Sequence, residues 1–128
     1  MDRKMISTAA FLGMTAIVLG AFGAHALKKV LNLEQLSTFE TGVKYQMYHA
    51  LFLLFVGLSS NIAEQTKKVI YYFVVTGVVF FSGSIYLLAT DDLNSFNFKT
   101  IGFITPIGGL LLIIGWLWLF IDFCKKKR

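Results

Sequence analysis

A chain of 128 residues with 56% hydrophobic and only 15% charged side chains falls well short of the ~25% charged content of soluble domains, so too little polar surface remains to wet a globule. Its net charge of +5 does not point to nucleic acid, because the basic residues cluster beside apolar runs and no soluble domain carries them. Barrel strands would show short alternating segments, which leaves helices as the membrane-compatible form.

Four stretches lack Asp, Glu, Lys and Arg: Met5–Leu27, Tyr45–Ala63, Val69–Thr90 and Thr100–Ile121. One helical crossing takes roughly 20 mostly apolar residues. The chain therefore reads as all-α, a polytopic membrane four-helix bundle forming a single transmembrane domain, with spans at about 5–27, 45–63, 69–90 and 101–121. Lys and Arg set its orientation. Arg3, Lys4, Lys67, Lys68, Lys125, Lys126, Lys127 and Arg128 fall on one side, against Lys28, Lys29, Lys44 and Lys99 on the other. The richer side belongs in the cytoplasm, which places both termini inside. The basic tail is expected to rest on anionic headgroups.

The first run follows Arg3-Lys4 and ends near Ala24-His25-Ala26, as a secretory signal would. Its length and internal glycines argue for a retained helix instead. Ala9, Gly13, Ala16, Gly20 and Gly23 repeat at steps of three and four, a stripe suited to close helix contact whose partner the spacing does not specify. Between Lys28 and Lys44, Leu33, Leu36, Phe39 and Val43 alternate with Glu34, Gln35 and Glu40. That pattern predicts a short amphipathic helix on the outer membrane surface, with Gly42 as a break before the second span.

The third run carries Gly77 and Ser84 one heptad apart, with Ser82 and Gly83 beside them. In the fourth, Gly108 and Gly109 suit close packing, and Pro106 near the start admits two readings. Either the helix begins there, with Thr105 as N-cap, or it begins earlier and kinks at Pro106. Trp116 and Trp118 are assigned to the lipid or the inner interface. Cys124 is the sole cysteine, which rules out an intramolecular disulfide and leaves a reduced thiol as the plain expectation.

With a rise of 1.5 Å per residue, the distinctive polar side chains fall in the same outer third of the membrane: His25, Tyr45, Gln46, His49, Ser82, Ser84, Tyr86 and Thr105. Such residues serve either as interhelical hydrogen-bond glue or as the lining of an outward-facing polar pocket. Two histidines, with Asp91 and Asp92 nearby, match no standard zinc spacing, and shallow histidines suit haem poorly. No metal site, cofactor or catalytic set is expected. An enzyme is therefore disfavoured. The preferred reading is a non-enzymatic helix-packing protein, homo-oligomeric or accessory to other membrane proteins. The alternative is a binder or passive permeation protein for a small neutral molecule or lipid, using the polar cluster.

Four segments, Gly20-Ala-Phe-Gly-Ala-His25, Thr41-Gly-Val-Lys-Tyr-Gln-Met-Tyr-His-Ala-Leu51, Phe81-Ser-Gly-Ser-Ile-Tyr-Leu-Leu88 and Ile104-Thr-Pro-Ile-Gly-Gly109, together resemble a widespread family of small membrane proteins. It is known as domain of unknown function 423 or uncharacterised protein family 0382, and has relatives called transmembrane protein 256. The resemblance runs through essentially the whole chain. It implies a four-helix protein of a bacterial plasma membrane and brings no catalytic residues to carry over.

Overall fold

The computed structural model describes residues 1–90 and 102–125. Four α-helices account for most of them: α1 (Asp2–His25), α2 (Leu33–Leu58), α3 (Glu64–Ala89) and α4 (Ile104–Lys125), with a single 3-10 turn at Leu27–Lys29. No strand occurs among the described residues. Three helices are long and apolar enough to cross a membrane, namely α1 with its 3-10 extension, α3 and α4. Their open faces carry Phe11, Ile17, Ile113 and Phe120, each 59% exposed or more, a surface that lipid solvates and water does not. Lys99, Asp91, Asp92 and the last three basic residues of the tail lie outside the described residues.

Helix α2 departs from the expectation. It is continuous from Leu33 to Leu58, so no separate amphipathic helix precedes it and no break occurs at Gly42. Its start is set by a capping box. The Asn32 side chain accepts from the Gln35 N–H at 2.7 Å, and the Gln35 side chain accepts from the Asn32 N–H at 3.0 Å. Gly42 is needed for proximity. A Cβ there would lie 2.7 Å from Tyr86 Cε1 and 3.0 Å from an Ile85 methyl. Polar residues from Glu34 to His49 fill its first half, which leaves too short an apolar stretch for it to join the three candidate spans.

Close packing joins helices that are successive in the chain, α1 on α2, α2 on α3 and α3 on α4. Most buried residues belong to α2 and α3, which form the centre, with α1 and α4 on the flanks. The main apolar core joins Met5 and Ala9 to Phe52, Leu53, Val56, Ile70, Val74 and Leu112. The small-residue stripe of α1 faces α2: a Cβ at Gly13, Gly20 or Gly23 would approach Ala50, Val43 or Phe39, at 3.9, 3.5 and 3.1 Å. Contact between α3 and α4 is closer. A Cβ on Gly77 would meet Leu112 at 2.7 Å, one on Gly115 would meet Val74 at 2.6 Å, and one on Gly108 would run into the Phe80–Phe81 backbone.

Pro106 sits in the first turn of α4, where helical N–H groups have no intrahelical acceptor, so it costs no bond. At the opposite end of the molecule, Lys67 is buried. Its ammonium reaches Asp2 at 2.9 Å and the Ser59 carbonyl at 2.6 Å. It thereby caps the C-terminus of α2 and ties α1 to α3.

Candidate functional site

The polar residues nearest the Asn32 end of the molecule fall into three groups. The first is a directed chain of hydrogen bonds across three helices. Tyr86 on α3 donates its hydroxyl to Gln46 Oε1 at 2.6 Å. The Gln46 amide donates to Thr15 Oγ1 at 2.7 Å and to the Leu12 carbonyl at 2.9 Å. Thr15 in turn donates to the Phe11 carbonyl at 2.9 Å. Every donor meets an acceptor, which fixes the amide orientation of the buried Gln46.

The second group comprises two interhelical ties of α3. Ser82 Oγ donates to the Gly42 carbonyl at 2.7 Å, joining α3 to α2. Ser84 and Thr105 share a hydrogen bond at 2.5 Å, joining α3 to α4.

The third centres on His49, which is 4% exposed. Its Nδ1 lies 2.7 Å from the Tyr45 carbonyl, and its Nε2 lies 3.1 Å from the indole nitrogen of Trp116. A carbonyl can only accept and an indole N–H can only donate, so Nδ1 carries the hydrogen and the ring is neutral. Trp116 also stacks on Phe52 with centroids 3.8 Å apart. Trp116 is 48% exposed, as a surface assignment expects, and the rest of its indole closes the contact between α4 and α2. Beside this pair is a cleft of about 320 Å³ lined by Tyr45, His49, Phe81, Gly109, Leu112, Ile113 and Trp116. The ring of Tyr45 meets Phe81 edge-on at 5.0 Å.

His25 stands apart, exposed at the last turn of α1. Depth placed it with the cluster, but its direction around the helix points it away. Gly83 likewise has no role in close approach, since a Cβ added there would find nothing within 4 Å. Gly109 is in ordinary contact with Phe81, at 3.6 Å. The sequence does not single out Thr15, and it marks Trp116 only as a surface residue and Lys67 only as a charge that sets orientation. Of these only Thr15 had a visible signal, a hydroxyl inside a charge-free run. Cys124 is exposed near the end of α4, and no group of three or more His, Cys, Asp or Glu residues gathers among the described residues.

Comparison with known proteins places these features in a family. The family described as "Protein of unknown function (DUF423)" matches residues 19–109, which include Gln46 and Tyr86, His49 and the α3–α4 glycine contact at Gly108. The UPF0382 membrane protein of Staphylococcus saprophyticus is 43% identical over 123 residues, covering 96% of this chain and 98% of that one. The UPF0382 membrane protein of Haemophilus influenzae is 37% identical over 99% of this chain and 98% of its own length. The UPF0382 inner membrane protein YgdD of Escherichia coli K12 is 35% identical over 99% and 94%. No solved structure matches significantly. By the motifs it carries and by relatives aligned over nearly its full length, the chain belongs to the DUF423 family of membrane proteins, whose activity is not established.

Proposed function

We propose that the protein is a non-enzymatic four-helix membrane bundle that works through helix contacts, as a homo-oligomer or as an accessory to other membrane proteins. It crosses the bilayer four times as one transmembrane domain, with both termini in the cytoplasm and the α1–α2 turn outside. The excess of Lys and Arg beside the chain ends and the α2–α3 turn supports this orientation. The name of the Escherichia coli relative supports a bacterial plasma membrane. In this orientation the first turns of α2 lie near the outer surface and the basic tail lies over anionic headgroups. One observation carries the reading. Gln46, Tyr86, Ser82, Ser84, Thr105 and His49 are all engaged in helix-to-helix or helix-internal hydrogen bonds, so they act as connectors and none is left poised for chemistry.

Native mass spectrometry of the gently extracted chain tests it. The expected result is an oligomer, or a complex with another membrane protein, with no retained small molecule. The cleft beside His49 favours a second reading, a binder of a small neutral molecule or lipid, because its size and aromatic lining suit an apolar ligand. His49→Ala separates the two. As a connector, His49 should be missed at roughly 1–2 kcal/mol of stability in a thermal melt. As a ligand contact, its loss should remove a defined bound mass and leave the melt little changed.

A further inference from the structure

Helix α2 is the one helix whose composition does not suit lipid, and its charged residues are on its open side. Glu40, Lys44, Tyr48, Leu51, Phe55 and Leu58 are all exposed and follow one another at steps of three and four, so they form one seam along the helix. Contacts with the neighbouring helices give the depth of its charged part. Val43 packs at Gly20 and Tyr86 packs at Gly42. Gly20 lies about 10 Å below the end of the apolar run of α1, and Tyr86 about 6 Å below that of α3, at 1.5 Å per residue. Glu40 and Lys44 flank this level, exposed at the rim of the hollow between α1 and α2. Ionisable side chains at membrane depth turn toward protein or water, and both of these are exposed among the described residues.

We infer that this seam of α2 is the contact surface for a second copy of the chain, a surface that gives the helix-contact reading a specific form and rests on it. The argument is charge complementarity. The seam holds one acid and one base, one helical turn apart. Two copies in the same membrane orientation, related by a two-fold axis along the membrane normal, bring equal depths together. Glu40 of each copy then lies diagonal to Lys44 of the other, as flanking charges do in parallel helix pairs. Each charge then has an opposite charge one turn away on its own helix and another across the contact, which together offset the like charge at its own depth, whereas an unrelated partner would need a matching pair of its own. Deeper in the membrane, Leu51, Phe55 and Leu58 continue the seam with apolar side chains. Beside the charges, a hollow of about 190 Å³ between α1 and α2, with Gly20 and Gly23 among its lining, allows a second helix to seat closely.

The test uses the full-length chain in native membranes, with Cys124→Ser removing the exposed native thiol. Oxidation of a Leu51→Cys variant should give a disulfide-linked dimer at least ten-fold more abundant than Ile113→Cys, which places the thiol on the open face of α4. Lys44→Glu and Glu40→Lys should each lower the Leu51→Cys dimer several-fold, and the two combined should restore it. Restoration also shows that neither single change acted by unfolding the chain. Equal crosslinking at Ile113, or a Leu51 dimer indifferent to single charge reversal, would overturn the inference, since charges that merely reach up to headgroups have no need of a copy. An oligomer in native mass spectrometry without seam crosslinking would remove this surface and leave the broader reading standing. A monomer by both methods, with no other protein attached, would remove both.

Discussion

Gly108→Ala is expected to loosen the α3–α4 contact at a cost of about 3 kcal/mol, the upper end of the usual penalty for overpacking. The reason is the identity of what the new methyl group meets. At most packed glycines the nearest atom is a side chain that can rotate away. At Gly108 it is backbone: the amide nitrogen of Phe81 is nearest, with the Phe80 carbonyl carbon and Phe81 Cα at 2.8 Å. Backbone inside a helix cannot yield locally without breaking i to i−4 hydrogen bonds, so α4 as a whole must move outward. That movement pulls Leu112 from its place beside Gly77 and strains the bond between Trp116 and His49. Gly83→Ala is the matching control. It lies two residues beyond Phe81 on α3, with open space where its Cβ would be. It should be neutral or gain up to about 1 kcal/mol, because alanine loses less backbone entropy than glycine in a helix. Thermal melts of the two variants in one mild detergent give the comparison directly. Equal melting temperatures would mean that α3 and α4 do not approach as closely as described.

The same pair shows what the sequence could and could not reveal. Gly83 and Gly108 both sat in small-residue patterns, and nothing in composition separates a glycine that admits a helix from one that faces open space. Only the neighbour decides. The charge-free runs located α1, α3 and α4 to within a few residues, because lipid-facing helices must be apolar along their length. They misplaced α2, whose charge-free part begins at Tyr45 while the helix begins at Leu33. A criterion of missing charges is blind to a helix that is charged on its open side. The start was still legible by other means, since Asn32 followed three residues later by Gln35 is a capping signature. Gln46, Ser82, Ser84, Tyr86 and Thr105, which depth counting groups, all enter interhelical bonds. Depth could not fix the direction around each helix, which is why His25 was grouped with residues it does not reach and Trp116 was left out. The α1 stripe announced a contact without naming its partner, and that partner is α2.

Gln46→Leu is the second change expected to have a large effect, at about 2 kcal/mol. Single interhelical hydrogen bonds in membranes contribute about 0.6 kcal/mol on average and up to about 1.7. Gln46 makes three, two to α1 and one to α3. Leucine keeps most of the buried volume, so the loss reports the polar network and not a cavity. Tyr86→Phe removes one of the three bonds and should cost about 0.6–1 kcal/mol. The double variant decides the point. With Gln46 gone, the Tyr86 hydroxyl loses its 2.6 Å acceptor and keeps only the neighbouring Ser82 hydroxyl, so adding Tyr86→Phe should cost less than it does alone and the two effects should fail to add. Simple additivity would mean that the 2.6 Å bond does not form. The network also determines which way α2 faces, because it anchors that helix to neighbours on two sides. The open face of α2 carries Glu40 and Lys44, so Gln46→Leu should weaken self-association in proportion to its loss of stability. Lys44→Glu, on the exposed seam, should weaken self-association with an unchanged melt, separating the scaffold that aims the seam from the charges that use it.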